Sequence, residues 1–215
     1  MEKFNVNNIS NQNRQFELFG SNVNTSINFQ HSNNLKITGK MLTEWRDKIH
    51  KHQFKISHQI CEGGTTRFQS VKNGLVHCKE KGIIAVHDGV RPLIHPDLIQ
   101  KLYNDAESNS AVIPVCPVLE SIRKSDKRGS KALDRCKYYT VQTPQCFSSE
   151  LLQNAYLQNE KVTFTDDASV VEAMGKEVHH FKGDRTNIKL TTPEDFIFAE
   201  ALLNRPKAIR PTRSL

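Results

Sequence analysis

Asp88 closes the apolar run Ile83-Ile84-Ala85-Val86-His87 and is followed at once by Gly89. Such a run reads as a parallel strand buried on both faces, and a carboxylate at its C-terminal end falls in the crevice where open α/β sheets bind ligands. There it can hold Mg²⁺ against a triphosphate, or it can simply cap the next turn. Lys189 stands in Asn187-Ile188-Lys189-Leu190-Thr191, where a strand end presents a compact cation beside a helix start. On composition alone such a lysine is equally a solvated surface charge. Gly63-Gly64-Thr65-Thr66-Arg67 with Ser70 is a glycine turn entering a helix. Its free N–H groups and hydroxyls suit a nucleobase or a phosphate, although ordinary strand-to-helix connections look the same.

Three further places hold candidates. Thr165 and Asp166 lead a helix, where both can be caps; Thr143, in Thr143-Pro144-Gln145, either shapes a pocket or begins a turn; Arg135 lies in a charged stretch where the plain reading is a solvated cation. The histidines offer no metal centre: His179 and His180 point to opposite faces of a strand, and no third ligand is spaced to join them and His87. Cys61, Cys78, Cys116, Cys136 and Cys146 are odd in number, contain no CxxC pair, and have no His or Asn constellation around them. They read as reduced thiols of a cytoplasmic protein rather than as nucleophiles.

The elements that must position these groups follow from periodicity and punctuation. Residues 1–34 hold ten Asn with Ser and Gln between them and show no helical or strand period, so disorder or a non-native segment is expected there. Residues 35–37 can form a short strand, residues 41–52 a helix with Leu42, Trp45 and Ile49 on one face, and residues 54–60 a strand. A helix over 67–78 follows the glycine turn, then the strand over 82–87, and Pro96 and Asp97 open a helix with Leu98, Ile99, Leu102, Tyr103 and Ala106 at helical spacing. Residues 111–115 make a strand, and the charged stretch 119–140, broken by Gly129, reads as an arm projecting from the domain. Ser148 caps a helix to 156, Thr165 caps another to 174 that Gly175 ends, residues 178–181 are a strand, and Thr192-Pro193-Glu194-Asp195 begins the last helix. Strand and helix alternate from 54 to 203, which predicts an α/β, doubly wound, mainly parallel sheet of Rossmann-like type in one domain over 35–204.

The formal charge of +7 is placed unevenly. The tail 205–215 carries Arg205, Lys207, Arg210 and Arg213 without an acid, and residues 1–40 carry two more cations than acids, leaving a nearly neutral body. A neutral body without an aromatic-basic stripe argues against a nucleic-acid partner, and no apolar run approaches the ~20 residues of a membrane span.

The glycine turn through Leu75, Val86-His87-Asp88-Gly89-Val90-Arg91-Pro92, Val141-Gln142-Thr143-Pro144-Gln145-Cys146-Phe147 and the stretch 165–195 together resemble the 2-C-methyl-D-erythritol 4-phosphate cytidylyltransferase family. The resemblance runs over about 41–203. It implies CTP and a sugar-alcohol phosphate as substrates, a divalent cation, Mg²⁺, on Asp88, and Arg91 at a matching catalytic position. It further implies that Gly63, Gly64, Thr65 and Ser70 face the base and sugar of CTP and that Lys189 offsets transition-state charge at the α-phosphate. Thr165, Asp166 and Thr143 are implied to serve the methylerythritol phosphate. The arm is implied to clasp a second copy, with Arg135 reaching the neighbour's substrate in a homodimer. The rivals are a ribitol-phosphate-type cytidylyltransferase and a non-catalytic relative that binds nucleotide without turnover. Family members open on an apolar strand, a Gly-rich loop containing Arg and a Pro-Lys-Gln segment around the triphosphate. Here Gly20 and Gly39 stand alone and no Pro precedes Lys36 or Lys40, so low turnover is expected.

Overall fold

Three strands near the N-terminus, β1 (Arg14–Gly20), β2 (Thr25–Phe29) and β3 (Asn34–Ile37), pair antiparallel in sequence, and β1 lies parallel to β4 (Ile83–Asp88). They belong to an eight-stranded sheet of a computed structural model that describes residues 14–20, 25–29, 34–37, 47, 50, 51, 53, 61 and 63–204. Strands thus occupy part of the stretch that composition assigns to disorder. Pairing is a main-chain interaction and needs no side-chain period, which is why the sequence does not announce it. The short strand expected at 35–37 is β3. The helix expected over 41–52 and the strand over 54–60 fall almost wholly outside the described residues, with Asp47, His50 and Lys51 helical.

The remaining strands are β5 (Ala111–Pro117), β6 (Arg123–Asp126), β7 (Gly129–Ala132), β8 (Tyr139–Val141), β9 (Gln145–Ser148) and β10 (His179–Lys182). The sheet order is β10-β5-β9-β4-β1-β2-β3, with β8 also on β5. By the pairings, β1, β3, β4, β5 and β10 run one way and β2, β8 and β9 the other. A mainly parallel sheet therefore takes one reversed strand, β9, between β4 and β5. β8 and β9 share one edge of β5, β9 beside its start and β8 beside its end, and residues 142–144 bridge them.

Pleating divides the core into two layers, as alternation requires. On one face Ile83 and Ala85 of β4, Val112 of β5 and Cys146 of β9 meet α2 (Pro96–Asn109) through Leu98, Ile99, Leu102, Tyr103 and Ala106. On the other face Ile84, Val86, Ile113 and Phe147 meet α1 (Arg67–Leu75), α3 (Ser149–Ala155) and α4 (Asp167–Glu172) through Val71, Leu152 and Val170. The helices start where their caps stand. Thr66 Oγ1 accepts the Gln69 N–H at 3.1 Å, and Ser148 Oγ accepts that of Leu151 at 3.4 Å. For α4 the cap is Asp166, one residue later than expected: its Oδ1 accepts the Ser169 N–H at 2.9 Å, and Ser169 closes a capping box. An acid outcompetes Thr here because a full charge sits at the positive end of the helix. At α5 (Pro193–Leu203) Asp195 Oδ2 accepts the N–H groups of Thr191 and Thr192, both at 2.7 Å, and these hold its carboxyl below the usual range.

The arm expected at 119–140 contains a separate two-stranded ribbon, β6 with β7, whose residues are all exposed, followed by a 3-10 turn at Arg135–Lys137. Among the described residues no helix is long and apolar enough to cross a membrane, and none of the five cysteines forms a disulfide.

Candidate active site

The carboxylate of Asp88, at the C-terminal end of β4, is nearly buried and has three cations around it. Lys189 Nζ lies 3.1 Å from Oδ2, Arg91 Nε 3.7 Å from the same oxygen, and Arg67 Nε 3.8 Å from Oδ1. Sequence neighbours and a distant segment converge here by backbone stitching. Arg91 N–H closes a turn on Asp88 O at 2.9 Å, Leu190 N–H donates to Val90 O at 2.8 Å, and Arg91 Nη1 donates to Asn187 O at 2.8 Å. The segment carrying Lys189 is thereby fixed to the turn carrying Arg91. Burial lowers the Arg91 pKa, with Asp88 acting against that shift, and its Nε has no hydrogen-bond partner. Asn187 Oδ1, fully buried, is likewise without one.

Behind Asp88 runs a chain of hydrogen bonds whose direction follows from donor and acceptor roles. The Arg91 carbonyl can only accept, so His87 Nε2, 3.1 Å away, carries the proton, and Nδ1 accepts from Thr143 Oγ1 at 2.9 Å. The Thr143 oxygen in turn accepts the Asp88 N–H at 2.9 Å. Thr143 sits there because the β4–β9 register, Val86 against Gln145, extends to place residue 143 opposite 88. Burial pushes the His87 pKa down to about 4, so the ring stays neutral near neutral pH.

The unfolded ring takes a proton near the ordinary pKa of 6.5, the folded ring only near 4, so between these values the unfolded state binds more protons. Stability due to neutral His87 is complete above pH 6.5 and declines as pH falls through the window, by about 3 kcal/mol at its lower end. Urea unfolding across this range is expected to show a shallower fall in His87→Gln than in the parent; equal slopes would remove His87 as the cause.

Two side chains beside the site, Arg67 and Asp167, make contacts that spacing alone does not reveal. Arg67 Nη2 meets Asp167 Oδ2 at 2.6 Å, and Tyr156 Oη donates to Asp167 Oδ1 at 2.5 Å, with Asp167 fully buried. Burial opposes the Arg67 charge, but Asp167, with Tyr156 and Asp88, outweighs it and raises the pKa above its ordinary value. The neighbouring Asp166 Oδ2 accepts from Gln145 Nε2 at 2.9 Å, and Gln145 Oε1 accepts the Ala168 N–H at 2.9 Å, so β9 also pins the start of α4. Arg67 is part of the glycine-turn motif, but the sequence gives no sign of a partner a hundred residues away.

Of the residues singled out by sequence, Asp88, Arg91, Lys189 and Thr143 meet at one rim. The Gly63–Ser70 turn adjoins them through Arg67. In that turn the Ser70 hydroxyl accepts the Gly64 N–H at 3.0 Å and donates to Thr66 O at 2.9 Å, so in the free chain it shapes the turn from inside. A Cβ at Gly64 would come 2.2 Å from Gln69 Cβ, which is why only glycine fits. Thr65 is exposed, its N–H and hydroxyl both held by Gln69 Oε1. Thr165 is exposed at the start of α4, and its N–H donates to Ser169 Oγ at 3.1 Å. Arg135 does not join the Asp88 group: it lies on the exposed 3-10 turn, where its guanidinium donates to Leu119 O.

Beside Asp88 opens a pocket of about 240 Å³, lined by Arg91, Arg185, Lys189, Asn187, Gln142 and Cys116 among others, with three cations and no carboxylate. Burial pushes the Cys116 thiol up, against the opposing pull of Arg185, so it is not a ready nucleophile. Among the described residues no cluster of three His, Cys, Asp or Glu side chains could hold a metal alone. One carboxylate, several cations and a glycine turn form an apparatus for phosphoanhydrides that needs no covalent intermediate.

The known proteins that this chain resembles agree with one another. A protein from Phocaeicola vulgatus described as 2-C-methyl-D-erythritol 4-phosphate cytidylyltransferase is 50% identical over 159 residues, 74% of this chain and 73% of its own length. Another so described, from Porphyromonas gingivalis, is 46% identical over 160 residues, 74% of this chain and 72% of its own. The crystal structure of 4-diphosphocytidyl-2C-methyl-D-erythritol synthase from Anaerococcus prevotii superposes with a TM-score of 0.70 at 30% identity, covering 79% of this chain and 77% of that one. The family model for 2-C-methyl-D-erythritol 4-phosphate cytidylyltransferase matches residues 18–205, beginning inside β1 and so further upstream than the motifs alone indicate. A match over most of the described fold, with the Asp88 rim inside it, means that the chain belongs to the 2-C-methyl-D-erythritol 4-phosphate cytidylyltransferase family.

Proposed function

We propose that this chain joins CTP and 2-C-methyl-D-erythritol 4-phosphate to give 4-diphosphocytidyl-2-C-methyl-D-erythritol and pyrophosphate, as a cytoplasmic homodimer dependent on Mg²⁺. The observation that carries the reading is the meeting of Lys189 with Asp88, 3.1 Å apart, beside a pocket whose only charged lining residues are Arg91, Arg185 and Lys189. The donor set fits the metal: Mg²⁺ is usually held by one or two carboxylates completed by substrate phosphates and water, and Asp88 supplies one, with Oδ1 free of hydrogen bonds. When bound there, the ion neutralises charge on the triphosphate.

The protein's own part is placement and charge. The Gly63–Ser70 turn receives the cytidine, with the backbone at Gly64 approaching closely where no Cβ intrudes. Arg91, Lys189 and Arg185 gather the acceptor phosphate in the pocket. An oxygen of that phosphate attacks the α-phosphorus in line. The new P–O bond forms as the bond to pyrophosphate breaks, and the leaving group departs as an anion. Lys189 stabilises the charge on the five-coordinate phosphorus, and Arg91 holds Lys189's segment in place. Thr165 and Asp166 contact the methylerythritol phosphate from the start of α4. The exposed ribbon of β6 and β7 clasps a second copy and carries Arg135 to its neighbour's acceptor phosphate.

Pyrophosphate release from CTP and methylerythritol phosphate tests the reading. The expected result is slow turnover that needs a divalent cation. Preference for ribitol phosphate would reassign the acceptor, and tight CTP binding without turnover would make the chain a non-catalytic relative.

A further inference from the structure

Arg67 is placed where a helix least favours it. It is the first residue of α1, so its charge faces the positive end of that helix's dipole, and it is about two-thirds buried. Asp167 holds it there with one oxygen, and its other oxygen is taken by Tyr156. With Nη2 at Asp167 Oδ2, 2.6 Å away, the same planar group turns Nε toward Asp88 Oδ1 at 3.8 Å. The two carboxylates are thus served unequally. Asp167 takes the hydrogen bond, and Asp88 receives a charge held just beyond hydrogen-bond reach. Lys189 and Arg91 both address the other oxygen, Oδ2.

We propose that Arg67 is a positioning residue for the metal carboxylate: clamped by Asp167 and Tyr156, it fixes the orientation of Asp88 while leaving Oδ1 open to a divalent cation. The inference rests on the reading that Asp88 holds the metal. Its specific content is that a planar guanidinium is needed, because two nitrogens of one rigid plane must address two acids. An ammonium can satisfy Asp167 or approach Asp88, but cannot hold both spacings.

Arg67→Lys separates this role from mere stability. In the full chain, affinity for Mn²⁺·CTP is read by water-proton relaxation enhancement, alongside the melting temperature. Arg67→Lys is expected to melt near the parent, since the Asp167 pair survives, yet to bind Mn²⁺·CTP about tenfold more weakly, the usual cost of losing an outer partner of a metal ligand. Arg67→Met is expected to lose both. Parent-like affinity in Arg67→Lys overturns the proposal. Should Arg67→Lys fail to fold, Tyr156→Phe loosens the same clamp more gently, and an unchanged affinity there overturns it equally. Undiminished Mn²⁺·CTP binding by Asp88→Asn would instead remove the metal from Asp88, a failure of the underlying reading that is seen separately.

Discussion

Lys189→Ala is expected to lower kcat/KM for CTP and methylerythritol phosphate by about a hundred- to a thousandfold, the usual loss when one placed transition-state donor is removed. The loss should fall mainly on kcat. Lys189 is the nearest cation to Asp88, and its partial exposure leaves its amine free to follow a phosphate oxygen as charge builds up. For the same reason stability should hardly change, since a pair with one partner this exposed contributes little to folding. Parallel measurement of pyrophosphate release and urea unfolding separates the two effects. A variant that is as active as its parent would take Lys189 out of the chemistry.

Asp167→Ala is expected to have the opposite profile, a large loss of stability. Its carboxylate is fully buried, and both oxygens are engaged, by Arg67 at 2.6 Å and by the nearly buried Tyr156 at 2.5 Å. Removing it takes the closest partner from a largely buried guanidinium and from a buried phenol at once. Breaking a buried pair by deleting one partner costs about 3–5 kcal/mol, or on the order of 10 °C in melting temperature for a chain of this size. The double variant with Arg67→Met should recover part of that loss, because the charge that has lost its closest partner goes with it. Calorimetry of the single and double variants checks both statements, and additive losses would show that the two side chains do not interact.

Much of the rim was legible because its signals are local. An apolar run that ends in an acid, Pro at the start of α2, Ser148 before α3 and the Thr192-Pro193 opening of α5 each declare themselves within four or five residues, and each element lies where they put it. Lys189 lies on the loop after β10 rather than at the strand end its motif suggests, and it meets Asp88 because Leu190 N–H and Arg91 Nη1 tie that loop to the turn after β4. Less could be read where the deciding interaction is distant. Gln145-Cys146-Phe147-Ser148 is a short stretch with only two apolar residues, and such a stretch carries no mark of direction, so nothing local shows that β9 is reversed between β4 and β5. The bond from Arg67 to Asp167 spans a hundred residues, and each partner alone looks like a helix-start charge. In β1 and β2 the main chain supplies the pairing while the side chains show no period, so composition pointed elsewhere.

The reversed strand ties the integrity of the site to that of the core. Along β9, Cys146 packs toward α2 and Phe147 toward α1 and α3, and the same register that does this puts the Thr143 hydroxyl under the Asp88 N–H. A slip by one residue would exchange Cys146 and Phe147 between faces and carry Thr143 off Asp88 in the same movement. Folding therefore proofreads the rim: a molecule with β9 misthreaded cannot persist as a well-packed but inactive impostor, and a properly packed sheet already has its hydroxyl in position before any substrate arrives.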